Sequence, residues 1–234
     1  KDCKKKFIRN DGFYRMRNSS NKITLCLDLF FRGISTRKVQ EHLNAFYPHN
    51  SDHSTILRWI RKYSSMISNY TDNLKLKVGS EVQVDEIEYH RRKSHRSKKG
   101  IDNNWFIDSI CPKTKFMVAS KYCKSRGKDE LKNIFKIIKG KTENQVKVIT
   151  TDGLLGYENA IKRVFGYNLK KNEYNITHNR NVRIKDESFN YPIERLHNSV
   201  RHRTKTFRGF HGSLESARAI MKGYEIYYNF ITKH

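Results

Sequence analysis

Three acids stand out because acids are scarce. The 234-residue chain carries 48 Lys and Arg against 23 Asp and Glu, a net charge of +25. Asp85 lies inside the apolar segment Val82-Gln83-Val84-Asp85-Glu86, Asp152 follows the apolar run Val146–Thr150 and precedes Gly153, and Glu194 opens a helical segment in Pro192-Ile193-Glu194-Arg195. Each has an ordinary reading. Asp85 could be a solvent-face strand residue, Asp152-Gly153 a simple turn, and Glu194 a favourable charge at a helix N-terminus. Together they suggest more. Two strand-end aspartates and a helix glutamate supply the hard oxygen donors that Mg²⁺ or Mn²⁺ takes. Two such ions clamp the attacking and leaving oxygens of a phosphoryl transfer.

The residues that follow Glu194 fit a phosphate partner. Arg195–His211 contains five Lys or Arg, three His and no acid. Arg201 lies seven residues after Glu194, two helical turns along the same face, where a guanidinium can reach a phosphate. Arg195, Arg203, Lys205 and Arg208 extend this basic stretch. A second run, Arg91–Lys99, holds six Lys or Arg and reads as a hairpin loop, with Arg91 and Arg92 as its first phosphate contacts. Either run could instead be solvated surface.

Other candidates carry less. Asp108 falls in a strand that would neighbour Asp85 and reads as a supporting acid. Glu86 alternates to the opposite face from Asp85. His178, His197 and His211 match no zinc-ligand spacing and read as contacts to phosphate or water. Trp59 and Trp105 read as core residues.

The composition narrows the partner. With a pI of about 10, the chain needs a polyanion to relieve its self-repulsion, and duplex nucleic acid fits best. Hydrophobic residues make up 36% and aromatics 12%, enough to bury a core and exclude a disordered chain. No apolar run reaches the length of a membrane span, and no secretory signal opens the chain. Cys3, Cys26, Cys111 and Cys123 are too dispersed for a disulfide framework, which favours a reducing, cytoplasmic setting.

The elements that must position these residues change character along the chain. Residues 1–18 form a basic arm. Cys3 resembles the last cysteine of a Zn²⁺ knuckle whose partners would lie upstream, or it is an isolated thiol. Residues 19–75 show helical periodicity in three segments. Val39, Leu43 and Phe46 line the second, and Ile56, Leu57, Ile60 and Met66 the third. The third presents Arg58, Arg61 and Lys62 outward. This reads as a helix-turn-helix DNA-binding domain, or as a plain three-helix bundle. Residues 76–234 begin with strands at Glu81–Tyr89, Trp105–Cys111 and Phe116–Tyr122, then alternate helix and strand. That predicts an α/β fold with a mixed sheet flanked by helices.

These motifs resemble a known family. The Val84-Asp85-Glu86 strand, the Trp105-Phe106-Ile107-Asp108 strand, and Thr150-Thr151-Asp152-Gly153 with Tyr157 resemble successive blocks of the DDE transposases of bacterial and archaeal insertion sequences. Tyr191–His197 with Arg201, Arg203-Thr204-Lys205 and Arg208-Gly209-Phe210 resembles the third block. The resemblance implies an RNase H-like catalytic core, as in retroviral integrases, preceded by a small all-α helix-turn-helix domain. It implies Asp85, Asp152 and Glu194 as metal ligands and Arg201 as their basic partner. It implies cleavage of double-stranded DNA at transposon ends, joining to target DNA, and work as a homodimer or larger synaptic complex at the prokaryotic nucleoid. The 41 residues between Asp152 and Glu194 exceed that group's usual spacing. A truncated or domesticated copy that only binds DNA, and a nuclease of the same fold, are the alternatives.

Overall fold

The computed structural model describes residues 12–47, 51–92, 101–180, 191–205 and 210–233. Cys3 and Arg208 lie outside the described residues, as does residues 93–99 of the second basic run. The chain divides into two compact units, residues 1–59 and 60–234.

The first unit is helical: α1 (Ser20–Phe31), α2 (Thr36–Phe46) and the start of α3 (His53–Thr71). Serines set the helix starts, because their hydroxyls accept otherwise unpaired first-turn N–H groups. Ser19 Oγ accepts from Lys22 N at 3.3 Å and Ser35 Oγ from Lys38 N at 3.4 Å. Gly33, at φ 112°, turns the chain after α1 where an L side chain would be strained. Ile23, Cys26, Phe30, Val39, Leu43, Ile56 and Trp59 are buried. Two residues expected inward face out. Phe46 is 69% exposed in the last turn of α2, and Met66 is 41% exposed. The buried side of α3 steps through Ile56, Ile60, Ser64 and Ser68, and Met66 is roughly 200° around the helix from Ser64.

The second unit is built on a mixed sheet. Its strands are β1 (Glu81–Arg92), β2 (Ile101–Ile110), β3 (Met117–Cys123), β4 (Val148–Thr151), β7 (Thr177–Arg180) and β8 (Phe210–His211). Between β4 and β7 come α5 (Leu155–Phe165) and the small hairpin of β5 (Tyr167–Asn168) and β6 (Glu173–Tyr174). The order is β3-β2-β1-β4-β7, with β8 beside the far end of β1. β1, β2 and β3 are antiparallel neighbours, while β4 joins β1 in parallel and β7 joins β4 in parallel. A three-stranded meander extended by parallel strands is the RNase H-like arrangement. The two basic residues Arg91 and Arg92 fall within β1, paired with β8, rather than in a loop.

Helices cover both faces. α4 (Lys128–Thr142) and α5 pack Leu131, Ile134, Phe135, Ile138, Tyr157 and Ile161 against Val82, Val84, Ile107 and Ile149. α6 (Tyr191–Thr204) and α7 (Leu214–Phe230) take the other face. There Gln83 Oε1 accepts from Ile193 N at 3.4 Å, and Ser120 donates to Glu225. Strand alternation makes this division: on β1, even-numbered residues 82, 84 and 86 face α4 and α5, and odd-numbered 83 and 85 face α6. No helix among the described residues is long and apolar enough to cross a membrane.

Candidate active site

The parallel pairing of β1 and β4 brings the two aspartates together. Gln83 pairs with Thr150 and Val84 with Thr151. The next residues on the two strands are Asp85 and Asp152, so both stand at the same level where β4 ends. β1 continues past that level to Arg92. Asp152 Oδ1 accepts from Leu154 N at 2.9 Å, an Asx turn that fixes the carboxylate as the chain leaves the sheet. Strand β7 braces the same turn. Arg180 donates to the Gly153 carbonyl at 2.6 Å, and His178 Nε2 lies 2.9 Å from Thr151 Oγ1.

Glu86 joins them. Asp85, Glu86 and Asp152 each offer a carboxylate oxygen, and the three oxygens lie within 4.8 Å of one another. Alternation does send Glu86 toward α5, where Tyr157 donates to its Oε2. Arg126 Nη1 donates to its Oε1 at 2.8 Å. The opposite-face expectation is therefore right for direction but wrong as grounds for excluding Glu86. At the end of β4 no neighbouring backbone separates the two faces. Nothing in a linear reading marks Arg126. Tyr157, quoted above only as part of a motif, acquires a role as the donor that holds Glu86.

On the other side of β1, Asp85 and Asp108 are paired residues of β1 and β2. His197 of α6 lies between them, with Nε2 2.8 Å from Asp108 Oδ1 and Nδ1 3.5 Å from Asp85 Oδ2. This corrects the expectation that His197 meets phosphate or water, since it is buried and bound to two acids. Burial alone would lower its pKa, but Asp108 and then Asp85 outweigh that and raise it. Asp108 is fully buried and serves as the supporting acid expected. Burial also lifts the Asp85 carboxyl to about 7, against the pull of His197, with Glu86 and Asp108 adding to the rise.

The donor set suits a hard divalent cation. Three carboxylates held this close repel one another, and burial penalises the charge of Asp85 further. A cation taking oxygen ligands relieves both effects. Asp85, Glu86 and Asp152 are the residues that would hold such an ion. Glu194 is not in this group. It is exposed in the first turn of α6, next to Ile193, whose N–H is fixed by Gln83 two residues before Asp85. Arg201 is exposed in the last turn of the same helix, and α6 is further tied to β1 by the Tyr89–Thr204 hydrogen bond of 2.7 Å.

The expected DNA contacts divide. Arg58, Lys62, Arg195 and Lys205 are exposed. Arg61 is half-buried, and burial lowers its pKa. Arg203 does not face solvent: it is 4% exposed, and burial lowers its pKa to about 10, against the opposing pull of Tyr224 and Tyr227. It falls two residues from Arg201, on the side of α6 turned to α7. Trp59 is buried as expected. Trp105 is only half-buried and lies under Arg126, whose guanidinium carbon is 4.2 Å from the ring centroid.

A family model described as a DDE domain matches residues 110–234, just over half of the chain. The match includes Asp152, Glu194 and Arg201 and begins after Asp85. No curated protein matches significantly in sequence. Among solved structures, the piggyBac transposase synaptic complex with hairpin DNA is 12% identical, with a TM-score of 0.38 over 76% of this chain. This chain spans 45% of the length of that one. The Mos1 strand transfer complex is 8% identical, with a TM-score of 0.31 over 95% of this chain and 81% of that one. A pre-cleavage Mos1 transpososome is 10% identical, with a TM-score of 0.31 over 96% and 79%.

Proposed function

The chain belongs to the DDE-domain family of transposases, and on that premise we propose that it is an insertion-sequence transposase that cuts DNA at transposon ends and joins the freed 3′-hydroxyl to target DNA. The observation that carries this reading is the meeting of Asp85, Glu86 and Asp152 at the end of β4. These residues would hold Mg²⁺, or Mn²⁺ in its place. The bound metal supplies Lewis-acid polarisation of a phosphodiester and charge stabilisation for the attacking and leaving oxygens.

The protein's own groups do the rest. The Asx turn of Asp152 and the Arg180 brace hold one carboxylate at the sheet end. Tyr157 fixes Glu86. Burial and the charge of Glu86 push its phenol well above the usual pKa, so it stays a donor. His197 orients Asp85 from the α6 side. Glu194, in the first turn of α6, completes the set of acids. Arg201, two turns further on, meets a phosphate beside the reacting one. Arg58, Lys62, Arg195 and Lys205, with Arg91, Arg92 and Arg208, track the duplex backbone. α2 and the start of α3 act as the helix-turn-helix that reads the transposon end. The protein works as a homodimer or larger synaptic complex in the prokaryotic cytoplasm, at the nucleoid.

The test is nicking and joining of supercoiled plasmid in Mn²⁺, with wild type beside Asp152→Asn. The substitution removes one ligand charge and almost no volume. Wild type is expected to nick and to give joined products when supplied with a 3′-hydroxyl end. Asp152→Asn is expected to retain DNA binding and lose both reactions. Nicking by Asp152→Asn at the wild-type rate would remove Asp152 from the site.

A further inference from the structure

The Arg126 guanidinium occupies an unusual position. It bonds Glu86 Oε1 at 2.8 Å and lies over Trp105, its carbon 4.2 Å from the ring centroid. Its partner's side chain is 3% exposed, yet that of Arg126 is 43% exposed. So a cation reaches from the loop between β3 and α4 to the rim of the three carboxylates, with its outer edge in solvent.

Glu86 does not depend on this contact for its placement. Its other oxygen is held by the buried Tyr157. What Arg126 adds is positive charge beside Glu86, on the face of β1 away from His197. A guanidinium has five N–H donors in a planar fork. The bond to Glu86 leaves an outward-facing edge at the place where DNA would approach. Trp105 supports the plane by cation–π attraction, which persists as the guanidinium turns about its own plane.

We propose that Arg126 is a catalytic residue of two positions, a stand-in cation on Glu86 in the metal-free chain and a fork that binds a non-bridging phosphate oxygen of the DNA once the divalent metal takes over Glu86. The inference rests on the transposase reading above and deepens it. No bond is made or broken in the exchange. Glu86 trades one cationic partner for another, and Arg126 trades a carboxylate for a phosphate, the two anions its geometry matches best.

The exchange has a consequence that a purely structural Arg126 would not have. If Arg126 competes with the metal for Glu86, removing it should strengthen metal binding while weakening the reaction. Mn²⁺ affinity, read by titration calorimetry or by loss of the free-ion electron paramagnetic resonance signal, should be about 3- to 10-fold tighter in Arg126→Ala. That estimate takes the loss of about 1 kcal/mol of screened repulsion between like charges near the surface. Plasmid nicking in saturating Mn²⁺ should fall at least 10-fold. Arg126→Gln keeps a donor for Glu86 without the charge and should behave like Arg126→Ala. Arg126→Lys keeps the charge without the fork and should leave Mn²⁺ affinity near wild type with reduced nicking. Thermal melting of all three checks the fold.

Weaker Mn²⁺ binding in Arg126→Ala and Arg126→Gln, in step with the loss of nicking, would overturn the proposal and make Arg126 a support for Glu86. Unchanged nicking in all three would overturn it as well. If wild type binds no Mn²⁺ and Asp152→Asn changes nothing, the transposase site itself fails, which is a different result from either of these.

Discussion

Asp85→Asn should stabilise the metal-free protein at alkaline pH, although it destroys a proposed metal ligand. Burial holds the Asp85 carboxyl at about 7, against 3.8 for an ordinary aspartate. The folded chain therefore keeps a proton that the unfolded chain has already released. The contribution of Asp85 to stability is fully present below about pH 4, falls as pH rises from about 4 to about 7, and then levels off. A gap of roughly three units corresponds to about 4 kcal/mol at pH 8. The shift already contains the attraction to His197; the Asp85 side chain is 22% exposed and water screens part of the penalty, so the net gain is set at about half, about 2 kcal/mol. For a chain of this size that is a rise of about 4–8 °C in melting temperature. The measurement is thermal melting in EDTA at pH 4.5 and pH 8. The gain should be present at pH 8 and nearly absent at pH 4.5. Mn²⁺ should then raise the wild-type melting temperature by mass action and leave the variant where it was. A variant less stable than wild type in EDTA at pH 8, or a gain of equal size at both pH values, would refute the reasoning.

Two further substitutions probe the scaffold. Glu225, buried in α7, accepts from Ser120 and from Lys222 at 2.8 Å and lies 3.5 Å from the buried Lys141. Glu225→Gln leaves Lys141 with Asp72 at 3.4 Å as its carboxylate. It should cost about 2–4 kcal/mol in urea unfolding, and adding Lys141→Met should recover part of that. A loss under about 1 kcal/mol would mean that the network contributes little. Gly156, at the start of α5, has Leu131 Cδ1 only 2.8 Å from where a Cβ would stand. Gly156→Ala should lose about 1–3 kcal/mol by overpacking, and Leu131→Val in the same chain should restore most of it. A stabilised Gly156→Ala would show that the helix–helix contact yields.

The elements were legible because the hydrophobic period is strong. The strands at β1, β2 and β3 and the helices α4 to α7 follow from alternation and from the 3.6-residue spacing, including the return from strand to helix after Cys123. The convergence of Asp85 and Asp152 was legible as two acids set in or just after apolar strand segments, but the parallel β1–β4 register that puts them at one level was not. Phe46 and Met66 were misread for a different reason. Periodicity marks which residues are apolar, but only the phase of the buried stripe decides which of them are covered. In α3 that stripe passes through Ser64 and Ser68, which no hydrophobicity pattern would choose. Arg203 shows the converse. Its sequence neighbours are basic, so it looks like one more phosphate contact, but its angle on α6 turns it into the protein.

The limits of a linear reading are clearest at Glu86. Alternation along an isolated strand gives the side chain one of two faces, and Asp85 and Glu86 take different ones. That rule assumes that the sheet separates its faces. β4 ends at Thr151, one residue short of the level of Asp85, so on that flank of β1 the separation stops where the acids begin. A carboxylate from each face can then approach the same point. The family motif marks Glu194, which stands exposed in the first turn of α6, outside the cluster that Asp85, Glu86 and Asp152 form. Glu86 is held in that cluster by Tyr157 and Arg126. A periodic reading therefore finds the acids but not which of them meet, because that depends on where β4 stops.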